Sequence, residues 1–587
     1  MTMRKPASDI EWQEWGAEAF ARAQSTGKPI LLSISAVWCH WCHVMDRTTY
    51  GNPEVVALVN ERYIPIRVDT DLRPDINDRY HQGGWPSTVF LTPAGHVIYG
   101  GTYLPPEQML ALLPQLSDYY AANHDDIEGK VRAALAQERE KYDGSGGAAL
   151  PENAATIVLE QMERQYDSRF GGFGFGTKFP HPEALDLVIA AFWQTRDPFW
   201  REMATRTLDG MAERGMYDQI AGGFFRYSTD RAWQTPHFEK MSDVNAALIR
   251  TYLHAAIVFD IPKYAAIAQR TLGYVMETLV DPHGGIRGSQ DADEEYSRRD
   301  AAGRALMPAP AVDPRISTNG SARMASSLLL ASVTLVDDLR REEYRAVALQ
   351  MVDRLLAEAR DDDGGMFHML APDGTRGEKG LLADQIWMAQ AALDAYAHTG
   401  NGDYRAQARR IAAYMLRTLL APTAFRDRPR DASDLGLLSE PVYSLPDNGI
   451  AADLFLRLAW LTGEETYQQI AMRVLTGFGE AYATQGVFAA GYALAWSRAH
   501  SEPRHVVIVG PYDDPHVVAM RAVACASYHP WSVVEPLDPA HDAGRITALG
   551  YPAEPPRAYP CIGKVCQLPV ANAPALTAAL GRMKTKD

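Results

Sequence analysis

Cysteine is scarce in this sequence, with five residues among 587. A small secreted domain that relies on disulfides needs a much denser set, and an odd count leaves at least one cysteine unpaired within the chain. Long apolar runs are also missing, because no stretch approaches the roughly 20 residues that cross a bilayer. The N-terminus has basic residues but no apolar segment behind them, which does not fit a secretory signal. These absences predict a soluble, cytoplasmic protein.

Positive charge is in short supply as well. The chain has 57 basic and 73 acidic residues, which gives a formal net charge of −16. Nucleic-acid binders need a basic surface that neutralises phosphates, and anionic membranes attract basic segments. We therefore expect neither nucleic acid nor a membrane among the partners. Hydrophobic residues at 47% and charged residues at 22% are typical of a folded globular chain.

The residue pattern changes three times along the chain and divides it into four predicted parts. Residues 1–142 mix helix and strand patterns, and the polar, glycine-rich stretch 143–151 is typical of a linker. Residues 152–500 show apolar positions at helical spacing with almost no strand pattern, and residues 501–587 return to a mixed pattern. The sequence predicts an α/β domain, a mainly α domain and a small C-terminal α/β segment packed on it.

Several predicted helices in the range 152–500 are followed by the same loop element, two glycines and then an apolar residue. The four copies begin at Gly171, Gly222, Gly284 and Gly364, so their spacings are 51, 62 and 80 residues. Paired helices that share one loop element favour helical hairpins around a common axis, which form an α/α toroid. An irregular helical array is the alternative.

The most specific motif is at residues 38–43, which read Trp-Cys-His-Trp-Cys-His after a short apolar run and before helical sequence. A strand that leads into Cys-x-x-Cys at a helix start places the first thiol where backbone N–H groups and the helix dipole stabilise a thiolate. Cys39 is therefore predicted as the nucleophile and Cys42 as the resolving thiol of a disulfide-exchange site. His40 lies between them and is expected to lower the pKa of the Cys39 thiol.

Three other interpretations fit the same residues. Cys-x-x-Cys-His is also the attachment pattern of c-type haem, although that reaction normally needs an exported chain. A cluster of cysteine and histidine can hold zinc, although no second ligand pair of suitable spacing lies nearby. The two cysteines can also be an inert structural pair. We predict no metal and no cofactor here, and we expect protein disulfides or thiols as partners.

Pro86 opens a further predicted strand. A cis Trp85–Pro86 bond there would expose a backbone edge that faces the dithiol. We therefore expect a cis bond and expect Pro86 within contact range of Cys39 and Cys42. The alternative is an ordinary trans proline at the start of an edge strand.

Residues 11–107 resemble the N-terminal thioredoxin-like domain of the spermatogenesis-associated protein 20 family. The matching segments are residues 28–34, 38–45, 67–69, 73–76, 83–86 and 100–106, and then 170–173, 178–180, 217–218, 226–227, 236–241 and 290–293 in the helical region. The family implies a thioredoxin-like domain followed by a six-hairpin toroid similar to glycosidases and N-acylglucosamine epimerases. The expected fold class is thus an α/β thioredoxin-like domain at 1–142 plus a mainly α (α/α)6 toroid at 152–500.

Two segments are expected to deliver polar side chains to one mouth of the toroid. His237 and Glu239 precede one predicted helix, and Asp291 and Asp293 follow the element at Gly284. Loops between helices gather at one end of such a ring, so the four side chains should converge there. A carboxylate pair can perform acid–base chemistry on a sugar, with His237 as a base. Helix capping and loop pinning are the structural alternatives.

The leading functional hypothesis is a thiol–disulfide oxidoreductase domain fused to a carbohydrate-enzyme-like toroid, whose funnel has room for a small sugar. One alternative is a sugar epimerase or glycosidase with a structural thioredoxin-like domain. Another is a non-enzymatic toroid that presents targets to the redox domain. Of the remaining cysteines, Cys561 and Cys566 are expected as two reduced thiols, with a second redox pair as the alternative, and Cys525 as a core residue.

Overall fold

The computed structural model describes residues 9–143 and 153–583. Residues 144–151 of the predicted linker lie outside the described residues. Along the described part of the chain, no helix is both long and apolar enough to cross a membrane. An α/β unit, a ring of helices and a smaller α/β unit follow one another, so the predicted fold class is confirmed.

The N-terminal domain is a four-stranded sheet with helices packed against it. Its elements are α1 (Ala17–Thr26), β1 (Ile30–Ser35), α2 (His40–Thr48), α3 (Pro53–Arg62), β2 (Ile64–Asp69), α4 (Pro74–Tyr80), β3 (Ser87–Leu91), β4 (Val97–Gly101) and α5 (Pro106–Asp143). The strand order is β2-β1-β3-β4, with β1 parallel to β2 and antiparallel to β3. The central strands are apolar because both faces of the sheet are covered, and β3 is buried along its whole length.

The toroid contains fourteen α-helices, two of them short, and six two-residue strands among the described residues. They are α6 (Ala154–Gln165), α7 (Pro182–Thr195), α8 (Pro198–Ala212), β5 (Tyr227–Ser228), β6 (Pro236–His237), β7 (Lys240–Met241), α9 (Ser242–Phe259), α10 (Pro262–Tyr274), β8 (Ser289–Gln290), α11 (Glu294–Arg298), α12 (Ala301–Arg304), β9 (Ile316–Ser317), α13 (Thr318–Thr334), α14 (Arg341–Arg354), β10 (Met369–Leu370), α15 (Leu382–Thr399), α16 (Gly402–Thr418), α17 (Leu445–Thr462), α18 (Glu465–Gly477) and α19 (Ala490–Ala499).

Six of these helices form a closed inner ring. Helices α7, α9, α13, α15, α17 and α19 contact one another in that order, and α19 contacts α7. Each inner helix packs against one outer helix, and the first outer helix, α6, packs against the last inner helix, α19. Inner helix α15 buries 13 of its 18 residues, whereas outer helix α16 buries 6 of 17. A helix that is apolar nearly all round belongs inside, and an amphipathic helix belongs on the outer layer.

The repeated glycine pairs lie in the loops that lead from an outer helix to the next inner helix, so all four lie at one end of the ring. Gly171 and Gly222 have positive φ angles of 74° and 80°, which favour glycine. Each loop also carries an aspartate that pairs with a lysine or an arginine. The pairs are Asp167 with Lys178, Asp218 with Lys240, Asp281 with Arg354 and Asp361 with Lys379. This end of the ring is the mouth of the toroid.

The C-terminal segment closes the other end of the ring. Its elements are β11 (Arg504–Val509), α20 (Pro515–Ala526), β12 (Ser532–Leu537), α21 (Ala543–Leu549), β13 (Arg557–Ile562), β14 (Val565–Cys566) and α22 (Ala573–Arg582), in a sheet of order β12-β11-β13-β14. The Tyr396 hydroxyl, near the end of α15, donates a hydrogen bond to the Pro536 carbonyl at 2.8 Å. Arg545 donates to the Trp460 carbonyl at the end of α17.

The N-terminal domain lies across the mouth of the toroid. Arg79 of α4 pairs with Asp427 at 2.6 Å, and Arg315 of the toroid reaches back to Asp69 at 3.0 Å. His368 Nε2 lies 3.0 Å from the Asp71 carbonyl oxygen. The ring is therefore covered by the N-terminal domain at one end and by the C-terminal segment at the other.

Candidate functional site

The dithiol lies where β1 leads into α2. Cys39 is the N-cap residue of α2, and its Sγ accepts a hydrogen bond from the Cys42 backbone N–H at 3.1 Å. The two cysteines form a disulfide. At the N-cap, the Cys39 sulfur faces unpaired N–H groups and the positive end of the helix dipole, which stabilise a thiolate once the bond is reduced. The geometry therefore suits Cys39 as the nucleophile and Cys42 as the resolving thiol.

Both domains cover this disulfide. Cys39 and Cys42 are only 3% and 4% exposed, in a cluster with Trp38, Trp85 and Met241. Met241 belongs to β7, directly before inner helix α9 of the toroid. The dithiol thus faces the mouth of the toroid rather than open solvent.

The Trp85–Pro86 peptide bond is cis, which confirms the expectation from sequence. The Trp85 ring packs edge-on against the Trp38 ring, with centroids 5.5 Å apart. Trp85 therefore borders the dithiol cluster. Contact of Pro86 itself with the two cysteines stays a prediction.

Two histidines of the motif differ in their surroundings. His40 is exposed and has an edge-to-face contact with Trp41. His43 is not among the predicted site residues of the dithiol, although it lies one helical turn after Cys39. Its Nε2 is 3.0 Å from the Val37 carbonyl oxygen and 3.6 Å from an oxygen of Asp291. Hydrogen bonding to Asp291 raises the pKa of His43 above its ordinary value, and this outweighs the effect of burial.

A cluster of carboxylates, buried except for the half-buried Asp71, lies behind Trp38 and spans both domains. The Trp38 Nε1–H donates to Asp71 at 2.8 Å, and Arg315 pairs with Asp69 at 3.0 Å and with Asp313 at 2.7 Å. Burial and then the neighbouring charge of Asp69 raise the pKa of Asp71 to about 7. One guanidinium thus serves three carboxylates. Sequence reasoning missed this cluster because its members come from segments about 240 residues apart.

The toroid contributes His237 and Glu239 to the same junction. The two side chains lie 3.5 Å apart, and the His237 ring stacks on Tyr227 with centroids 4.7 Å apart. Glu239 is 2% exposed, and its Oε2 has no hydrogen-bond partner among the described residues. The neighbouring Lys240 donates a hydrogen bond to Asp218 at 2.8 Å, which fixes the position of its loop. Burial lowers the pKa of Lys240 to about 8.

The two predicted aspartates have different positions. Strand β7 pairs with β8, so that Lys240 lies opposite Gln290, and this pairing brings the segments of Glu239 and Asp291 side by side. Asp291 faces His43 on the dithiol helix. Asp293 is the N-cap of α11 and accepts a hydrogen bond from the Tyr296 N–H at 2.8 Å, which is a capping role.

A cavity of about 260 Å³ fills the centre of the ring and is lined by all six inner helices. Residues 526–532 of the C-terminal segment close one end of it. Its walls carry charged pairs, with Asp394 and Arg457 at 2.6 Å and Asp453 and Arg498 at 2.6 Å. None of the four predicted toroid residues lines this cavity. Asp291 instead lies between the toroid and the N-terminal domain, where it faces His43.

The other three cysteines lie in the C-terminal segment. Cys561 and Cys566 form a disulfide, so the expectation of two reduced thiols is wrong. The two residues are directly opposed in the β13–β14 hairpin, which brings their side chains together. Cys525 is half-buried and lines the toroid cavity, and burial raises the pKa of its thiol to about 12.

A strand that leads into Cys-x-x-Cys at a helix start, beside a four-stranded sheet, defines a thioredoxin-like domain. The closed double ring of helices defines an (α/α)6 toroid. Comparison with known proteins agrees with the first part. Residues 2–138 match the family model Thioredox_DsbH, described as a protein of unknown function, DUF255.

The chain is similar to spermatogenesis-associated protein 20 of Mus musculus, with 36% identity over 312 residues, and this confirms the resemblance seen in the motifs. The match covers 49% of this chain and 39% of the mouse protein, so the chain matches well under half the length of that relative. It is also similar to the thiol:disulfide interchange protein DsbD 1 of Pseudomonas aeruginosa, with 34% identity over 99 residues, 15% of this chain and 17% of that protein.

Two solved structures resemble the chain at low identity. One is cellobiose 2-epimerase from Spirochaeta thermophila, with 15% identity, 63% of this chain and 98% of that chain covered, and a TM-score of 0.47. The other is a D-mannose isomerase, with 12% identity, 59% and 96% covered, and a TM-score of 0.47.

Proposed function

We propose that the N-terminal domain performs thiol–disulfide exchange through Cys39 and Cys42, at a site that the mouth of the toroid completes. The observation that carries the proposal is the position of Cys39 at the N-cap of α2, bonded to Cys42 one turn later. Similarity to a thiol:disulfide interchange protein over 99 residues supports it. The substrates are thiols or disulfides that reach the junction between the two domains.

In the reducing direction, the Cys39 thiolate attacks one sulfur of a substrate disulfide. A mixed disulfide forms and the first substrate thiol leaves. Cys42 then attacks the Cys39 sulfur, which releases the second substrate thiol and forms the intramolecular disulfide. Two electrons pass from the dithiol to the substrate, and the reverse sequence oxidises a pair of substrate thiols.

The test compares two single substitutions in the full chain. Cys39→Ser removes the nucleophile and is expected to abolish reduction of a model disulfide, which means a loss of at least about 100-fold. Cys42→Ser leaves the nucleophile but not the resolving thiol, so it should accumulate mixed disulfides that mass spectrometry detects. Cys525→Ser is the matched control and should keep full activity. Exchange that persists at the wild-type rate in Cys39→Ser would contradict the proposal.

A small polar ligand in the toroid cavity, such as a sugar, is a second candidate function. The specific observation in its favour is a charged cavity of about 260 Å³ lined by all six inner helices. Binding there should raise the melting temperature of the protein. The probes are a panel of monosaccharides and sugar acids. If none of them raises the melting temperature of the wild type or of Asp394→Asn, this candidate function is contradicted.

A further inference from the structure

An arginine beside the dithiol lacks a polar partner. The Arg226 guanidinium lies over the Trp38 ring at 4.2 Å and over the Trp85 ring at 4.6 Å. These are the aromatic residues directly before Cys39 and Pro86. Among the described residues, the guanidinium makes no hydrogen bond and no ion pair. Two tryptophans thus hold a cation next to the disulfide and leave its five N–H donors available.

A carboxylate close to this arginine, that of Glu239, lacks a hydrogen-bond donor as well. Glu239 is 2% exposed, its Oε1 contacts His237 at 3.5 Å, and its Oε2 has no hydrogen-bond partner among the described residues. Burial of a carboxylate oxygen that accepts no hydrogen bond costs free energy, so we expect a hydrogen-bond donor to bind there. Burial lowers the pKa of the Arg226 guanidinium and the charge of Glu239 partly offsets this, yet none of the described salt bridges joins the two side chains.

The cover over the dithiol restricts the size of the substrate. Met241 of the toroid packs on the cluster that contains Cys39 and Cys42, and both cysteines are almost fully buried. A disulfide in a folded protein would have to displace a domain interface that includes the Arg79–Asp427 and Arg315–Asp69 pairs. A small molecule displaces less, because it meets the partly exposed side chains of Arg226, His237 and Asp291 at the junction and needs a local shift only to reach the buried Cys39 and Glu239.

We propose that this junction binds small thiols and disulfides that carry an α-amino acid group, with the carboxylate on Arg226 and the ammonium on Glu239. A cation and an anion held apart beside the reactive sulfur match the two charges of a zwitterion. The proposal rests on the thiol–disulfide exchange proposed above and names its substrate class. In the reducing direction, the protein dithiol and one molecule of such a disulfide become a protein disulfide and two aminothiol molecules, with two electrons and two protons transferred.

The test measures how fast Cys39 of the reduced Cys42→Ser protein forms mixed disulfides, by peptide mass spectrometry, with four probes. Cystine carries both charges, cystamine lacks the carboxylate, 3,3′-dithiodipropionic acid lacks the ammonium, and bis(2-hydroxyethyl) disulfide lacks both. Each rate is divided by the rate of the same probe with N-acetylcysteine, which removes differences in intrinsic reactivity. We expect cystine to exceed each of the other three by about tenfold.

Two substitutions test which protein side chain binds each charged group of the probe. Arg226→Gln should remove the preference for cystine over cystamine, and Glu239→Gln should remove its preference over dithiodipropionic acid. Arg206→Gln and Glu202→Gln, on the exposed face of α8, are the matched controls and should keep both preferences. Equal normalised rates for all four probes in the wild-type background would overturn the proposal even if either variant folds poorly. If bis(2-hydroxyethyl) disulfide reacts at Cys39 while cystine shows no preference, only the substrate class is wrong. If no probe reacts, the proposed exchange function falls too.

Discussion

The two disulfides of this chain lie at opposite ends of the toroid and in different surroundings. Cys39–Cys42 begins a helix and is covered by residues of both large domains. Cys561–Cys566 joins opposed residues of a β-hairpin, with Cys566 exposed and the Tyr551 hydroxyl 3.7 Å and 3.8 Å from the two sulfurs. Thiols at a helix N-terminus have a lowered pKa and exchange readily, whereas a hairpin bridge mainly restricts the unfolded chain.

The surroundings of a disulfide, more than its presence, therefore indicate its role. Around Cys39 the structure gathers a raised-pKa histidine, His43, and the half-buried Asp71 behind Trp38. The N-terminal pair thus has the surroundings of a reactive site, and the C-terminal pair has those of a structural disulfide. This comparison also argues against direct electron transfer between the two pairs, since the toroid separates them.

Alkylation kinetics should separate the thiols most strongly. In the fully reduced protein at pH 7, iodoacetamide should label Cys39 at least about tenfold faster than Cys42, because only Cys39 lies at the helix N-cap. Peptide mass spectrometry over time measures both rates, with Cys566 as an exposed reference thiol. Faster labelling of Cys42 would reverse the two roles.

Removal of the hairpin disulfide should affect stability and leave the chemistry intact. Cys561→Ser combined with Cys566→Ser is expected to destabilise the C-terminal segment by about 2 kcal/mol, as chain entropy predicts for a short loop. Hydrogen exchange of β13 measures this loss, and the rate of thiol–disulfide exchange should not change. A large drop in that rate would mean that the C-terminal pair takes part in the reaction.

The carboxylate cluster beside the dithiol should give the protein a pH-dependent stability. The pKa of Asp71 is raised from 3.8 to about 7 by burial, so the stability due to its protonated form is present below about pH 4 and lost as the pH rises through 7. Asp71→Asn cannot ionise and should gain about 1–2 kcal/mol relative to wild type between pH 5 and pH 8. Thermal melts at both pH values measure this gain.

The exposed Asp118→Asn is the control for this measurement, because that carboxylate pairs with Arg62 at the surface. It should show the same difference from wild type at both pH values. A constant difference for Asp71→Asn as well would mean that Asp71 does not titrate in this range.

The sequence predicts local features of this fold better than contacts between its domains. The strand before Cys39, the helix after it and the loops at Gly171 and Gly222 follow from apolar runs, capping and glycine conformation, which are local properties. His43 and Asp291 meet across two domains, and no local pattern reports such a contact. The same limit explains why the toroid carboxylates were expected at one mouth of the funnel without any sign that the N-terminal domain covers that mouth, where Asp291 faces His43.

A redox titration of the full chain can show whether Cys39–Cys42 is an exchange-active dithiol, because it compares both disulfides in the same sample. The protein is equilibrated in thiol buffers of known potential, alkylated, and each cysteine pair is quantified by mass spectrometry. We expect Cys39–Cys42 to titrate between about −120 and −270 mV, the range of exchange-active dithiols, and Cys561–Cys566 to stay oxidised to below about −300 mV. If Cys39–Cys42 also resists reduction to below about −300 mV, it is a structural disulfide and the proposed thiol–disulfide exchange is wrong.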